Sequence, residues 1–216
     1  MKMKRLSLAL AFTLAAAIFT SCEKNSTYKL PILGYTDYEE VNGKVDTIYH
    51  TIPAFGFLDQ DSAMVTKETV EGKIYVADFF FGTCPTICPK MAQQMLRVYD
   101  QFKDNEDFAI LSHTIDPEHD TVEYLNGYAA KLGVNDNETW HFLTGKKEEI
   151  YELGTAAGYM VQVREDPTAE GGYIHSGAFI LVDKEGRVRG FYDGTIPEKV
   201  DVLMNDIKIL QAEYAD

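Results

Sequence analysis

One stretch constrains this chain more than any other: Phe79-Phe80-Phe81-Gly82-Thr83-Cys84-Pro85-Thr86-Ile87-Cys88-Pro89-Lys90-Met91. An apolar run with the look of a buried strand stops at Gly82. Two cysteines with three residues between them follow, then Pro89 and a pattern that reads as a helix. A strand feeding a short loop into a helix N-terminus is a good place for reactive thiolates, because positive partial charge at that helix end favours anionic sulfur. The rest of the chain must supply a scaffold, partners for the two sulfurs and a suitable compartment.

The compartment is read from the N-terminus. Met1-Lys2-Met3-Lys4-Arg5 is basic, residues 6–19 are apolar, and Thr20 and Ser21 are small. Residues 1–21 therefore read as a secretory signal, too short to be a comfortable transmembrane span. Phe19-Thr20-Ser21-Cys22 resembles the bacterial lipobox, whose cysteine becomes the lipidated first residue, although Phe19 stands where leucine is usual. The bland alternative is an ordinary signal peptide with a chance cysteine. Lipidation of Cys22 removes one of the three cysteines from redox chemistry and leaves Cys84 and Cys88 as the free pair. The expected location is the cell envelope, facing the periplasm and held to the membrane by lipid, where disulfides persist. The formal charge of −14 disfavours nucleic acid and anionic membrane surfaces as partners, and fits metal cations or a basic protein.

The expected organisation is a signal over 1–21, a lipid-anchored tether over 22–45 and one domain over 46–216. Residues 46–52 and 55–58 are short strand candidates, with a hairpin turn at 59–62. Residues 73–81 form a central strand, and Met91, Met95, Tyr99 and Phe102 recur at helical spacing to about residue 103. Strands at 108–115 and 140–143 alternate with helices at 120–132, ended by Gly133, and at 146–157. A strand at 159–164 follows, then a hairpin of 178–182 with 188–192, and a last helix from Pro197 to about 212. Alternating strands and helices predict an α/β architecture: a thioredoxin-like fold, with a central mixed β-sheet flanked by helices and an N-terminal β-hairpin extension.

The spacing C-x-x-x-C is wider than the C-x-x-C of thioredoxin oxidoreductases. It can still close a disulfide, and both sulfurs can also face one metal ion; a purely structural disulfide is the bland reading. His175 lies in the Gly-rich stretch Glu170-Gly171-Gly172-Tyr173-Ile174-His175-Ser176-Gly177, ahead of a strand. His50, His113, His119 and His141 compete with it. Topology favours His175, because in a thioredoxin-like fold the loop before the closing hairpin packs against the cysteine loop. Two thiolates and an imidazole make a soft three-coordinate site that selects copper(I), with zinc as competitor, while the imidazole helps it accept copper(II). Met91 and Met95 could offer thioethers, but their spacing beside Tyr99 and Phe102 makes them core. Glu118-His119-Asp120 could form a hard-metal cluster and is read instead as part of a turn.

Four blocks resemble the Sco/SenC family of copper-binding thioredoxin-like proteins, over roughly residues 52–210. They are Phe80-Phe81-Gly82-Thr83-Cys84-Pro85-Thr86-Ile87-Cys88-Pro89; Thr114-Ile115-Asp116-Pro117-Glu118-His119-Asp120-Thr121; Tyr173-Ile174-His175-Ser176; and Leu181 to Val188 with Phe191 to Gly194. The resemblance implies copper in either oxidation state on Cys84, Cys88 and His175, with Asp116 near the site. Asp116 is then a partner that orients the ligands, or else a strand-end carboxylate capping the next turn. The resemblance also implies a part in building the copper centre of cytochrome c oxidase, by handing copper to its dinuclear-site subunit or by reducing that subunit's cysteines. Thr86 and Ile174 stand where the family often has acids, which removes negative charge beside the site. The expected function is therefore copper delivery, with thiol–disulfide exchange at Cys84 and Cys88 or redox sensing as the alternatives.

Overall fold

The computed structural model describes residues 28–135 and 138–215. Cys22 and the expected signal lie outside them. Five strands form the central sheet. β5 (Ile74–Phe80), β6 (Phe108–Thr114) and β7 (Trp140–Leu143) run parallel, with Ile74 opposite Phe108 and Phe80 opposite Thr114. β10 (Ala178–Val182) pairs antiparallel with β5, and β11 (Val188–Asp193) closes the sheet, giving the order β11-β10-β5-β6-β7. Every residue of β5 and β6 is buried, which is why both read as unbroken rather than alternating apolar runs.

Helices α1 (Cys88–Phe102) and α2 (Val122–Leu132) make the two parallel crossovers, followed by α3 (Lys147–Gly154) and α4 (Pro197–Glu213). Met91, Met95, Val98 and Phe102 bury one face of α1, and Arg97 on another face pairs with Asp201 of α4. The two methionines are core, 1% and 0% exposed. Thr121 caps α2 by accepting the Tyr124 N–H, and Gly133 ends it, as the sequence indicates. Among the described residues, no helix is long and apolar enough to cross a membrane. This is a thioredoxin-like fold, with a mixed sheet, flanking helices and an N-terminal antiparallel hairpin.

The hairpin differs from the expected one. β1 (Thr36–Val41) pairs with β2 (Lys44–Tyr49), so residues read as tether form a strand. Asn42 and Gly43, both at positive φ (54° and 75°), make the tight turn. Nearly every side chain of this hairpin is exposed, so the burial alternation that marks strands is absent. A second small hairpin, β3 (Gly56–Leu58) with β4 (Met64–Thr66), spans the turn expected at 59–62.

The strand expected over 159–164 is a second correction. The chain there turns instead: the Tyr159 and Val161 N–H groups donate to Leu153 and Gly154, and Met160 takes a positive φ of 59°. Extended structure begins only at β8 (Val163–Glu165), which pairs with β9 (Tyr173–His175). His175 thus ends a short strand, where a Gly-rich loop was expected.

Candidate metal centre

β5 delivers the chain to the cysteine loop at the C-terminal edge of the parallel strands. Gly82 has no room for a side chain: a Cβ there would lie 2.2 Å from Cε1 of Tyr124 and 2.8 Å from Oδ1 of Asp120. The Asp120 carboxylate accepts from the Gly82 N–H at 2.9 Å and the Thr114 hydroxyl at 2.5 Å. Asp120 is fully buried and fastens the loop entrance to the end of β6. It is the second aspartate of Asp116-Pro117-Glu118-His119-Asp120-Thr121, which the sequence places in the turn that leads into the next helix.

The Cys84 N–H donates to Phe81 O, and four residues on, Cys88 opens α1. The Cys88 backbone N–H points at Cys84 Sγ from 3.5 Å, so a free donor of the helix N-terminus meets that sulfur. The Thr86 hydroxyl lies 3.8 Å from the same atom. Both cysteines are buried free thiols in this structure.

His175 closes the site. Its β9 pairing with Val163 sets the backbone, and the ring meets Phe81 edge-on at 5.8 Å. Nδ1 lies 3.1 Å from the Ser176 carbonyl oxygen, which can only accept, so Nδ1 carries the proton. Nε2 faces Cys88 Sγ at 3.4 Å. The two sulfurs and an imidazole nitrogen all lie within 4.8 Å of one another. Among the described residues this is the one such group of ligating side chains.

The two thiols are driven apart. Burial pushes the Cys84 thiol up, but hydrogen bonds from His175, Cys88 and the backbone at Thr86 and Cys88 outweigh it and hold it lowered to about 6. The Cys88 thiol is raised, first by burial and then by donating toward Cys84 and lying near its charge. One sulfur is thus a ready thiolate and the other a proton-bearing reserve.

Asp116 is not in the ligand group. It begins the turn after β6: its N–H donates to Thr114 Oγ1 at 3.1 Å, and its carbonyl accepts from His119 and Asp120. Its carboxylate engages the hydroxyl of Tyr173, whose titration is raised by burial and by that bond. Tyr173 in turn packs on Phe81 at 5.0 Å, two residues before His175. Asp78 was not singled out from sequence because it sits inside an apolar run. It is buried on β5, accepts from the Ser112 hydroxyl at 2.5 Å, and is raised to about 6, mainly by burial. Its charge also bears on Cys88.

A thioredoxin-like scaffold that sets two cysteines and a histidine around one point defines a class of thiolate–imidazole metal-binding proteins. The model of the SCO1/SenC family matches residues 44–210, and the chain belongs to that family. The SCO1 protein homolog of Bacillus subtilis (strain 168) is 33% identical over 165 residues, which cover 76% of this chain and 84% of the relative. A putative copper-binding protein of Stutzerimonas stutzeri is 29% identical over 154 residues, 70% of this chain and 72% of the relative. The solved structure of BsSco is described as showing a disulfide switch in a member of the Sco family of cytochrome c oxidase assembly proteins. It aligns with a TM-score of 0.64 at 31% identity, covering 77% of this chain and 95% of that one.

Proposed function

We propose that this protein is a copper chaperone of the cell envelope, with Cys84, Cys88 and His175 as ligands. The carrying observation is the convergence of two sulfurs and one imidazole nitrogen within 4.8 Å. The donor set fits copper. Soft thiolates suit copper(I), and an imidazole nitrogen suits either oxidation state. The bond from Nδ1–H to the Ser176 carbonyl orients the ring, so Nε2 is the nitrogen that would ligate.

Copper is cargo here. A recipient's thiols would displace the ligands one at a time through a shared intermediate, with His175 leaving first. The favoured recipient is the cytochrome c oxidase subunit that carries a dinuclear copper site, in keeping with the assembly role given for BsSco. Ligation needs reduced sulfur, so a Cys84–Cys88 disulfide would switch binding off. With residues 1–21 removed and lipid on Cys22, the link to the membrane would be the part of the expected 22–45 tether ahead of Leu30, which is bonded to Arg189 and Glu213 of the domain.

The split between the two thiols supports a second reading. A lowered Cys84 that attacks and a raised Cys88 that resolves is the arrangement of a thiol–disulfide oxidoreductase acting on partner cysteines. Titration of the reduced protein with copper(I) and copper(II), with metal stoichiometry and the thiolate-to-copper(II) absorption band, separates the two. The chaperone reading expects one copper per chain, lost in His175→Ala while the thiols remain reactive. Copper binding unchanged in that variant would sink it and leave the oxidoreductase.

A further inference from the structure

The surface through which a partner must reach the cysteines contrasts with the rest of the molecule. Three segments form it. Residues 82–89 carry the cysteines, residues 171–177 carry His175, and residues 194–196 precede α4. They touch one another. A Cβ on Gly171 would lie 2.8 Å from the Phe81 ring and 3.5 Å from Pro85, and one on Gly177 would lie 3.8 Å from Ile87 and 3.7 Å from Thr195. None of these residues is Asp, Glu, Lys or Arg, in a chain where 25% of residues are. The side chains around the mouth are Pro85, Thr86, Ile87, Thr195 and Ile196; Ile174 faces the other side of β9 from Tyr173 and His175. Pro85, Thr86 and Ile196 are exposed, and the others are half-buried.

The acids at the edge of this mouth are already engaged. Asp193, the one that touches it, accepts from the Thr195 N–H at 2.9 Å and the Thr195 hydroxyl at 2.6 Å. Asp116 meets the Tyr173 hydroxyl and Glu165 pairs with Lys147, while Asp78 is buried behind Cys88, and Lys90 and Glu198 lie just beyond the three segments. Unpaired acidic residues gather elsewhere, as on the exposed hairpin at Asp37, Glu39, Glu40 and Asp46. A formal charge of −14 therefore describes the body and not the mouth of the site.

We infer that the partner presents its cysteines on an uncharged segment of small and apolar residues, and that this collar, not the acidic body, selects it. This rests on the reading of Cys84 and Cys88 as the thiols that meet a partner's thiols. The collar's own side chains carry it: a charged flank pressed against Pro85, Ile87 and Ile196 would lose water and find no counter-charge among them, and Asp193 at the edge is already bonded to Thr195.

The test uses the reduced, metal-free protein and two synthetic peptides that each carry an oxidised C-x-x-x-C pair. One has Ala, Ser and Val flanks and the other has Lys flanks. Cys84 sulfur attacks one peptide sulfur, the peptide disulfide breaks, and its second sulfur leaves as a thiolate that takes a proton from water. Cys88 then attacks Cys84 sulfur and releases the peptide dithiol, so the protein pair is oxidised as the peptide pair is reduced. The expected result is faster reduction of the neutral peptide, with a rate that changes less than about twofold as salt rises. Ile196→Glu should slow that reaction by about threefold or more, while the equally long, uncharged Ile196→Gln stays near the parent rate. A faster lysine peptide whose advantage fades with salt overturns the inference; so do equal rates, no reaction with either peptide, or an inert Ile196→Glu. Because no copper is present, a protein that prefers the neutral peptide yet binds no copper refutes the chaperone reading alone. One that binds copper but prefers the lysine peptide refutes the collar alone.

Discussion

Two imidazoles in this protein rest on phenylalanines two residues apart, Phe79 and Phe81, and only one of them belongs to a site. His113 stacks on Phe79 at 5.2 Å and is ringed by Phe55, Phe57 and Tyr159. Both of its nitrogens are buried with no partner, and burial alone lowers it to about 3. His175 meets Phe81 edge-on, stays half-buried, and has each nitrogen directed, one to a carbonyl oxygen and one to a sulfur. An aromatic cradle does not make a ligand. What makes one is a hydrogen bond that fixes the tautomer and further donors at the same point.

The contrast breaks most visibly on copper. His175→Ala should lower copper affinity about a hundredfold or more, and His113→Phe should leave it unchanged, in a competition titration against a copper chelator. Thiol chemistry sharpens it next. At pH 7 Cys84, lowered to about 6, is mostly thiolate and Cys88 is not, so iodoacetamide should label Cys84 more than about tenfold faster. The midpoint of Cys84 labelling should lie near pH 6. It should move upward in His175→Ala, which loses a hydrogen bond favouring the thiolate, and stay in place in His113→Phe; mass spectrometry of the labelled peptides reads both.

Stability should respond in the opposite sense. His113→Phe removes two unsatisfied buried nitrogens and keeps a planar ring, so it should raise stability by about 1 kcal/mol in a denaturant melt. His175→Ala should barely change it. The smallest effect expected is at Tyr173. Tyr173→Phe keeps the packing on Phe81 and loses the bond to Asp116, and should weaken copper binding only about threefold. A loss as large as that of His175→Ala would place the Asp116–Tyr173 link at the centre of the site.

The sequence made the central sheet legible because β5 and β6 are buried on both faces and could only be apolar throughout. Helix α2 was legible from chemistry at its ends, Thr121 and Gly133. The β1–β2 hairpin was hidden because it buries almost nothing, leaving only the Asn42-Gly43 turn as a signal. The turn at 159–162 was hidden because Tyr159, Val161 and Val163 alternate like a strand, while Tyr159 is held by Leu153. In the site, the three donors were readable from residue type and from the resemblance of their motifs. Asp120 was not, because a buried carboxylate that accepts a backbone N–H from another loop has the same local signature as a helix cap.

The way the described chain begins has a mechanical consequence. Arg189 of β11 donates to the carbonyls of Leu30 (2.6 Å) and Pro31 (3.0 Å). Glu213 of α4 accepts the Leu30 N–H at 2.8 Å and pairs with Arg189 at 2.9 Å. Leu30 is therefore a mooring point, and the β1–β2 hairpin that follows it bears no load from an attachment upstream. If lipid sits on Cys22, the leash runs only from there to Leu30, about 27 Å at full stretch. On so short a leash the whole body would ride close to the bilayer, and a recipient would have to bring its thiols down to it.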